Sequence, residues 1–208
     1  MRTLDPVKHD EKRQEILAAA ARCISRDGFR GASIADICGE AGISPGHLYH
    51  YFPSKEAILN ELAAAGLEKI ADRFAQMMQD DDAVGALIAE IGRHKSSKQD
   101  PHHRVMSRMM LEMLVEAGRN PAIAKIMRKN SAMVLGLLKD FIQSGQLRGQ
   151  IDPNLDAAVA AGMMLSVMDG MRTLAIRNPD ADVSASLDML QVLMGRFLSP
   201  PAKHPGKP

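Results

Sequence analysis

The sequence contains no tryptophan, and among its 208 residues only 2 tyrosines, 5 phenylalanines and 2 cysteines occur. A β-sandwich or barrel leans on aromatic and β-branched side chains, so this shortage disfavours an all-β fold. Two thiols, Cys23 and Cys38, are too few for a disulfide framework or a cysteine-rich metal site, and both fall in helix-like segments where buried free thiols are ordinary. The longest apolar run, Ala157 to Leu165, falls far short of the roughly 20 residues that a membrane-spanning helix needs. The N-terminal stretch is charged (Asp5, Lys8, Asp10, Glu11, Lys12, Arg13) and has no hydrophobic signal region. A soluble, cytoplasmic protein with no membrane partner is expected. Charge excess is absent too: 26 Lys and Arg against 25 Asp and Glu leave +1, so any nucleic-acid surface must be local. No glycine-rich phosphate loop, G-x-S-x-G elbow or zinc-helix motif occurs, so neither an enzyme nor a cofactor is expected.

What is present points to helices. Alanine, leucine and 15 methionines dominate, all good helix formers. Ile16, Ala20 and Ile24 repeat at helical period, and Asp27-Gly28 stops that first helix. Ser33 to Asp36 is a capping box that opens a short second helix, ended by Gly42. Ser44 caps a third, with Pro45 at the first helical position, and Phe52-Pro53 closes it. Ser54 caps a long fourth helix striped by Ile58, Leu62, Ile70, Phe74 and Met77, closed near Asp80. Further helices are expected over Val84–His94, His102–Ala117, from Asn120-Pro121 to about Leu147, from Asp152-Pro153 to about Arg177, and over Val183–Leu198. Lys95 to Asp100 reads as a polar break, Asn178-Pro179 as a helix break, and the proline-rich stretch 200–208 as a disordered tail. The fold class is all-α with about nine helices.

The informative stretch is Ser33 to Lys55, SIADICGEAGISPGHLYHYFPSK. Two short helices meet at a tight turn, Ala41-Gly42-Ile43, and Ile34, Ile37, Leu48 and Phe52 can bury together against the first helix. This is the helix-turn-helix pattern, whose second helix enters the DNA major groove. His47-x-x-His50 has a spacing that metals use, but no third ligand stands near in sequence, and His94, His102 and His103 read as a solvated helix start. No metal site is expected.

Through AGIS, the G-x-LY-x-YF segment (Gly46 to Phe52) and FPSKEAIL, the sequence resembles the TetR/AcrR family of transcriptional regulators over residues 10–62. Met168-Asp169-Gly170-Met171, followed by Asn178-Pro179 and an amphipathic helix, resembles the end of many members. The resemblance implies a three-helix DNA-binding domain (1–53), a larger helical ligand-binding and dimerisation domain (54–199) and the tail (200–208). It implies that Ser33, Ser44, Gly46, Tyr49 and Lys55 contact phosphates, and that His47 and His50 face base edges or phosphates. Pro45 stands where members often carry lysine, so one phosphate contact is expected to be missing. Tyr51 is assigned to packing. With no Lys or Arg between Ser44 and Phe52, the attraction is assigned to Arg30, Lys55, Lys8, Lys12 and Arg13. Protonation of His47 and His50 beside phosphates is expected to raise affinity from pH 8 to about 6.

The methionine stripe Met106, Met109, Met110, Met113, with Phe74 and Met127, suits either a core or an adaptable pocket for a small, largely apolar effector. Glu112, Glu116 and Asp169 near apolar stripes open the option of a cationic ligand. Ala157 to Ile176 is apolar nearly all round, and with the last helix it is expected to form an isologous homodimer seam that a charge at Met164 would break. Taken together, the expectation is a ligand-responsive repressor that binds a palindromic double-stranded DNA operator as a homodimer. A helical small-molecule-binding or interaction protein without DNA binding is the alternative.

Overall fold

The computed structural model describes residues 6–97, 101–178 and 180–201, without the side chains of 94–97, 102–103 and 175–176. The imidazoles of His94, His102 and His103, Pro179, and the tail beyond Pro201 lie outside the described residues. Among the described residues there are nine α-helices and no strand: α1 (Pro6–Gly31), α2 (Ile34–Ala41), α3 (Pro45–Tyr51), α4 (Lys55–Met77), α5 (Ala83–Ser97), α6 (Pro101–Ala117), α7 (Pro121–Leu147), α8 (Ala157–Arg177) and α9 (Val183–Leu198). No described helix is long and apolar enough to cross a membrane.

Local chemistry sets most boundaries. Gly28 breaks α1 with φ 73°, a left-handed value, and a Cβ there would stand 3.0 Å from Glu112 Oε2, so no other residue fits without strain. Ser33 and Asp36 form the capping box of α2, and Ser44 caps α3 by accepting from the His47 amide. Two expectations shift. Helix α5 continues to Ser97, into the expected polar break, since neither Gly nor Pro interrupts it over 95–97. Helix α8 starts at Ala157 rather than at Pro153, because Asp152 is used in a turn: its amide donates to Leu198 O at 2.8 Å and its carboxylate accepts from the Asn154 amide. Asp156 then supplies the cap, accepting from the Ala158 and Val159 amides.

The chain packs as two compact units, residues 1–67 with 101–130 and residues 68–100 with 131–208. In the first, the three N-terminal helices do not pack alone. Ile58 and Leu59 of α4, Met113 of α6 and Ile123 of α7 join Ile24, Leu48 and Phe52 in one core. A buried carboxylate, Glu116 on α6, accepts from Arg30 at the end of α1 (3.0 and 3.2 Å) and from Arg119 (2.9 Å). The Arg30 hydrogen bond, acting against burial, holds the Glu116 carboxyl below the usual range.

The second unit has its own core around Phe141, Ile142, Ile151 and Leu198, all fully buried, with α5 packed on α9. Phe141 meets Phe74 edge-on, ring centroids 5.8 Å apart. Phe141→Ala is expected to cost about 3–5 kcal/mol, read as a lower denaturant midpoint. A loss below about 1 kcal/mol would show that the ring is not the packing centre assigned to it.

Candidate functional site

The recognition segment is built by a single turn. Gly42 at φ 65° ends α2, its amide donates to Gly39 O, and the Ile43 amide donates to Cys38 O at 3.0 Å. The chain then enters α3, where only Leu48 is buried. Leu48 and Ile37, both at 0% exposure, lock the two helices onto α1. Ser44, Pro45, Gly46, His47, Tyr49 and His50 are all exposed, with Tyr49 at 52%. Tyr51 is half-buried and packs with the core, and His9 of α1 stacks on its ring at 4.6 Å. His47 and His50 flank the same ring at 5.4 and 5.7 Å, so three imidazoles surround one phenol beside the exposed face. No group of three or more His, Cys, Asp or Glu among the described residues is placed to hold a metal ion.

The cations expected to serve this face are largely engaged elsewhere. The Lys55 ammonium donates to the carbonyls of Ala32 (2.8 Å) and Phe29 and lies 4.3 Å over the Phe29 ring. Burial pulls its pKa below the ordinary lysine value. Arg13 makes a two-pronged pair with Glu61 and sits 5.1 Å over the Phe52 ring. Arg30 is paired to Glu116, although its side chain stays 65% exposed, and Lys12 is paired to Glu15. Ser33 is occupied as well: its hydroxyl donates to Asp36 at 2.5 Å, and that bond holds the Asp36 carboxyl low. Of the residues assigned to phosphates and bases, the structure thus gathers Ser44, Pro45, Gly46, His47, Tyr49 and His50 on one exposed helix. It gives Arg30, Ser33 and Lys55 internal partners.

The expected pocket residues separate. Met109 and Met113 are buried in the first unit's core, with Met106 and Met127 packed against it, and Met110 is half-buried on the same helix. None of these five lines the cavity of about 130 Å³ found in the second unit. Phe74 does, together with Met77, Leu87, Ile91, Met164 and Met194, so α4, α5, α8 and α9 all contribute. Helical period alone places a stripe but not its partner helix, so it left core and pocket both open for α6, and the structure packs that stripe in the first unit's core. Asp169 does not line the cavity; it pairs with Arg172, which does. Sequence reasoning missed Arg73, Glu90 and Arg172 on the wall, and the Arg73–Glu90 pair spans two helices and leaves no local signal.

Several apolar side chains of the second unit are exposed. Val159 (61%) and Met163 (55%) on α8, and Met189 (66%), Val192 and Leu193 on α9, point outward. Met164 points inward at 4% exposure, so the outward residue of this pair is Met163.

Comparison with known proteins gives consistent matches. The family model "Bacterial regulatory proteins, tetR family" matches residues 16–62, and the model "BetI-type transcriptional repressor, C-terminal" matches residues 95–196. The HTH-type transcriptional regulator UidR of Escherichia coli is 27% identical over 161 residues, covering 76% of this chain and 79% of the relative. Among solved structures, Salmonella enterica GusR aligns with a TM-score of 0.75 at 23% identity over 95% of this chain and 99% of its own. FadR from Bacillus subtilis, solved in complex with stearoyl-CoA, aligns with a TM-score of 0.74 at 22% identity, covering 88% and 98%. The two structural likenesses show the fold.

Lys55→Met keeps the length of the side chain and removes its donors. Two carbonyls lose a charged partner, so unfolding is expected to become easier by about 1.5–3 kcal/mol. Unchanged stability in a denaturant titration, with operator affinity lost, would return Lys55 to the role of a plain phosphate contact.

Proposed function

The chain belongs to the TetR family of bacterial regulatory proteins, matched over residues 16–62 and 95–196, and on that premise we infer how its helices divide the work of a ligand-responsive transcriptional repressor. The observation that carries the reading is α3, a helix that buries Leu48, half-buries Tyr51 and exposes His47, Tyr49 and His50. In this reading α3 lies in the major groove. Tyr49 and Ser44 donate hydroxyls to phosphates, Gly46 lets the backbone approach, and His47 and His50 reach base edges or phosphates. Pro45 supplies no backbone donor, which fits a weaker grip on the backbone at that point.

The outward apolar face of α8 and α9 is read as an isologous homodimer seam. A two-fold dimer would set its two recognition helices about 34 Å apart, one turn of duplex, which calls for a palindromic operator. The effector is read as small and largely apolar, held in the second unit's cavity. FadR, a structural relative whose ligand carries a long acyl chain, supports an apolar occupant. Helix α4 carries Lys55 at its start and Phe74 on the cavity wall, so it is the element through which effector binding is proposed to act. The effector must favour the conformation that does not bind DNA, since equal affinity for both would shift nothing.

His47→Ala is expected to weaken binding to a palindrome from the gene's own upstream region by about 1–3 kcal/mol and to relax one base position. A mobility shift with unaltered affinity and base preference would remove His47 from the readout. Met163→Glu with Met189→Glu places charge on the proposed seam and should yield a monomer in sedimentation velocity. A persistent dimer would move the interface to another face.

A further inference from the structure

We propose that the cavity of the second unit selects an amphipathic organic acid, with its carboxylate held by Arg73 and Arg172 and its apolar body against Phe74, Met77 and Met194. This rests on the reading of that cavity as the effector site and adds the charge of the occupant. Three charged residues line the wall: Arg73, Arg172 and Glu90. The Glu90 carboxylate is already spent, with Oε1 accepting from Arg73 at 2.9 Å and Oε2 accepting from Arg93 Nε at 2.7 Å. Burial pushes its carboxyl up, but the Arg93 hydrogen bond and the two guanidinium charges outweigh that, so it stays ionised. Asp169, the other nearby carboxylate, is held by Arg172. With Arg93 included, three guanidinium groups face two carboxylates, which leaves an excess of positive charge.

A guanidinium carries five N–H donors. Arg73 gives one nitrogen to Glu90 and Arg172 gives one to Asp169, so each keeps donors that can fork onto a ligand carboxylate. Both are partly solvent-exposed, Arg73 at 49% and Arg172 at 32%, which places the acid head toward water while the apolar wall takes the tail. The volume, about 130 Å³, is close to that of an apolar cavity that accepts a benzene-sized group, so roughly six carbons are enclosed. A cationic ligand finds no complement here. Neither carboxylate is without an arginine, and Phe74 is the one aromatic side chain among the described lining residues, short of the several rings that an aromatic cage needs.

The test is calorimetric titration of the full chain, free of DNA, with six-, eight- and ten-carbon ligands. Each length is offered as carboxylate, primary alcohol and trimethylammonium. At a given length the carboxylate is expected to bind at least about tenfold tighter than the alcohol, and the ammonium not to bind. Arg73→Gln and Arg172→Gln should each remove about tenfold of octanoate affinity and leave 1-octanol unchanged. Glu90→Gln, which releases Arg73, should tighten octanoate. Alcohols binding as well as acids, or the ammonium binding tighter, would overturn the proposal, and that head-group comparison uses the native protein and needs no variant to fold. Operator mobility shifts keep the two readings apart. Release by 1-octanol but not octanoate would overturn the acid selectivity and keep the effector role. Octanoate binding that never releases operator would keep the site and remove the effector role.

Discussion

One ammonium ties the ends of the helix-turn-helix together. Residues 33–54 form a loop of chain whose flanks, Ala32 and Lys55, are joined by a 2.8 Å hydrogen bond, with Phe29 O sharing the same donor. The bond is open to Lys55 because α1 ends at Gly31, where the last carbonyls have no helical partners. A lysine at the first position of α4 reaches back to satisfy them, and its ammonium lies over the Phe29 ring. The turn at Gly42, the burial of Leu48 and the exposure of α3 all sit inside this closure.

The same economy recurs through the first unit and limits what is left for DNA. Arg13 reaches Glu61 on α4, and Arg30 reaches the buried Glu116 on α6. These pairs fix helices to one another, and a phosphate would have to compete with an existing carboxylate for each guanidinium. The exposed face of α3 therefore offers hydroxyls, imidazoles and backbone rather than a row of cations. The second unit places its arginines differently. Arginines around Glu90 and Asp169 outnumber their partners, and the surplus faces a cavity instead of solvent alone.

The helices and their caps were legible in the sequence because their causes are local. Ser33 with Asp36, Ser44 with Pro45, and Gly42 each act within a few residues of themselves. The exposure of Ser44, His47, Tyr49 and His50 beside a buried Leu48 follows from the same short range. The partners of the cations did not: Glu61 stands 48 residues from Arg13, and Glu116 stands 86 from Arg30. Nor did the assignment of the methionines. Met109 and Met164 occupy equally apolar stripes, yet one packs under the recognition helices and the other lines the cavity, a choice made by tertiary packing.

The salt dependence of operator binding tests this distribution of charge most directly. On duplex DNA the slope of log K against log salt is about −0.9 per phosphate neutralised. If Arg13, Arg30 and Lys55 remain with their internal partners, the dimer neutralises few phosphates and the slope is shallower than about −4. If those cations leave their partners for DNA on both halves of the operator, the slope steepens by about 5, and a value near −8 would contradict the account.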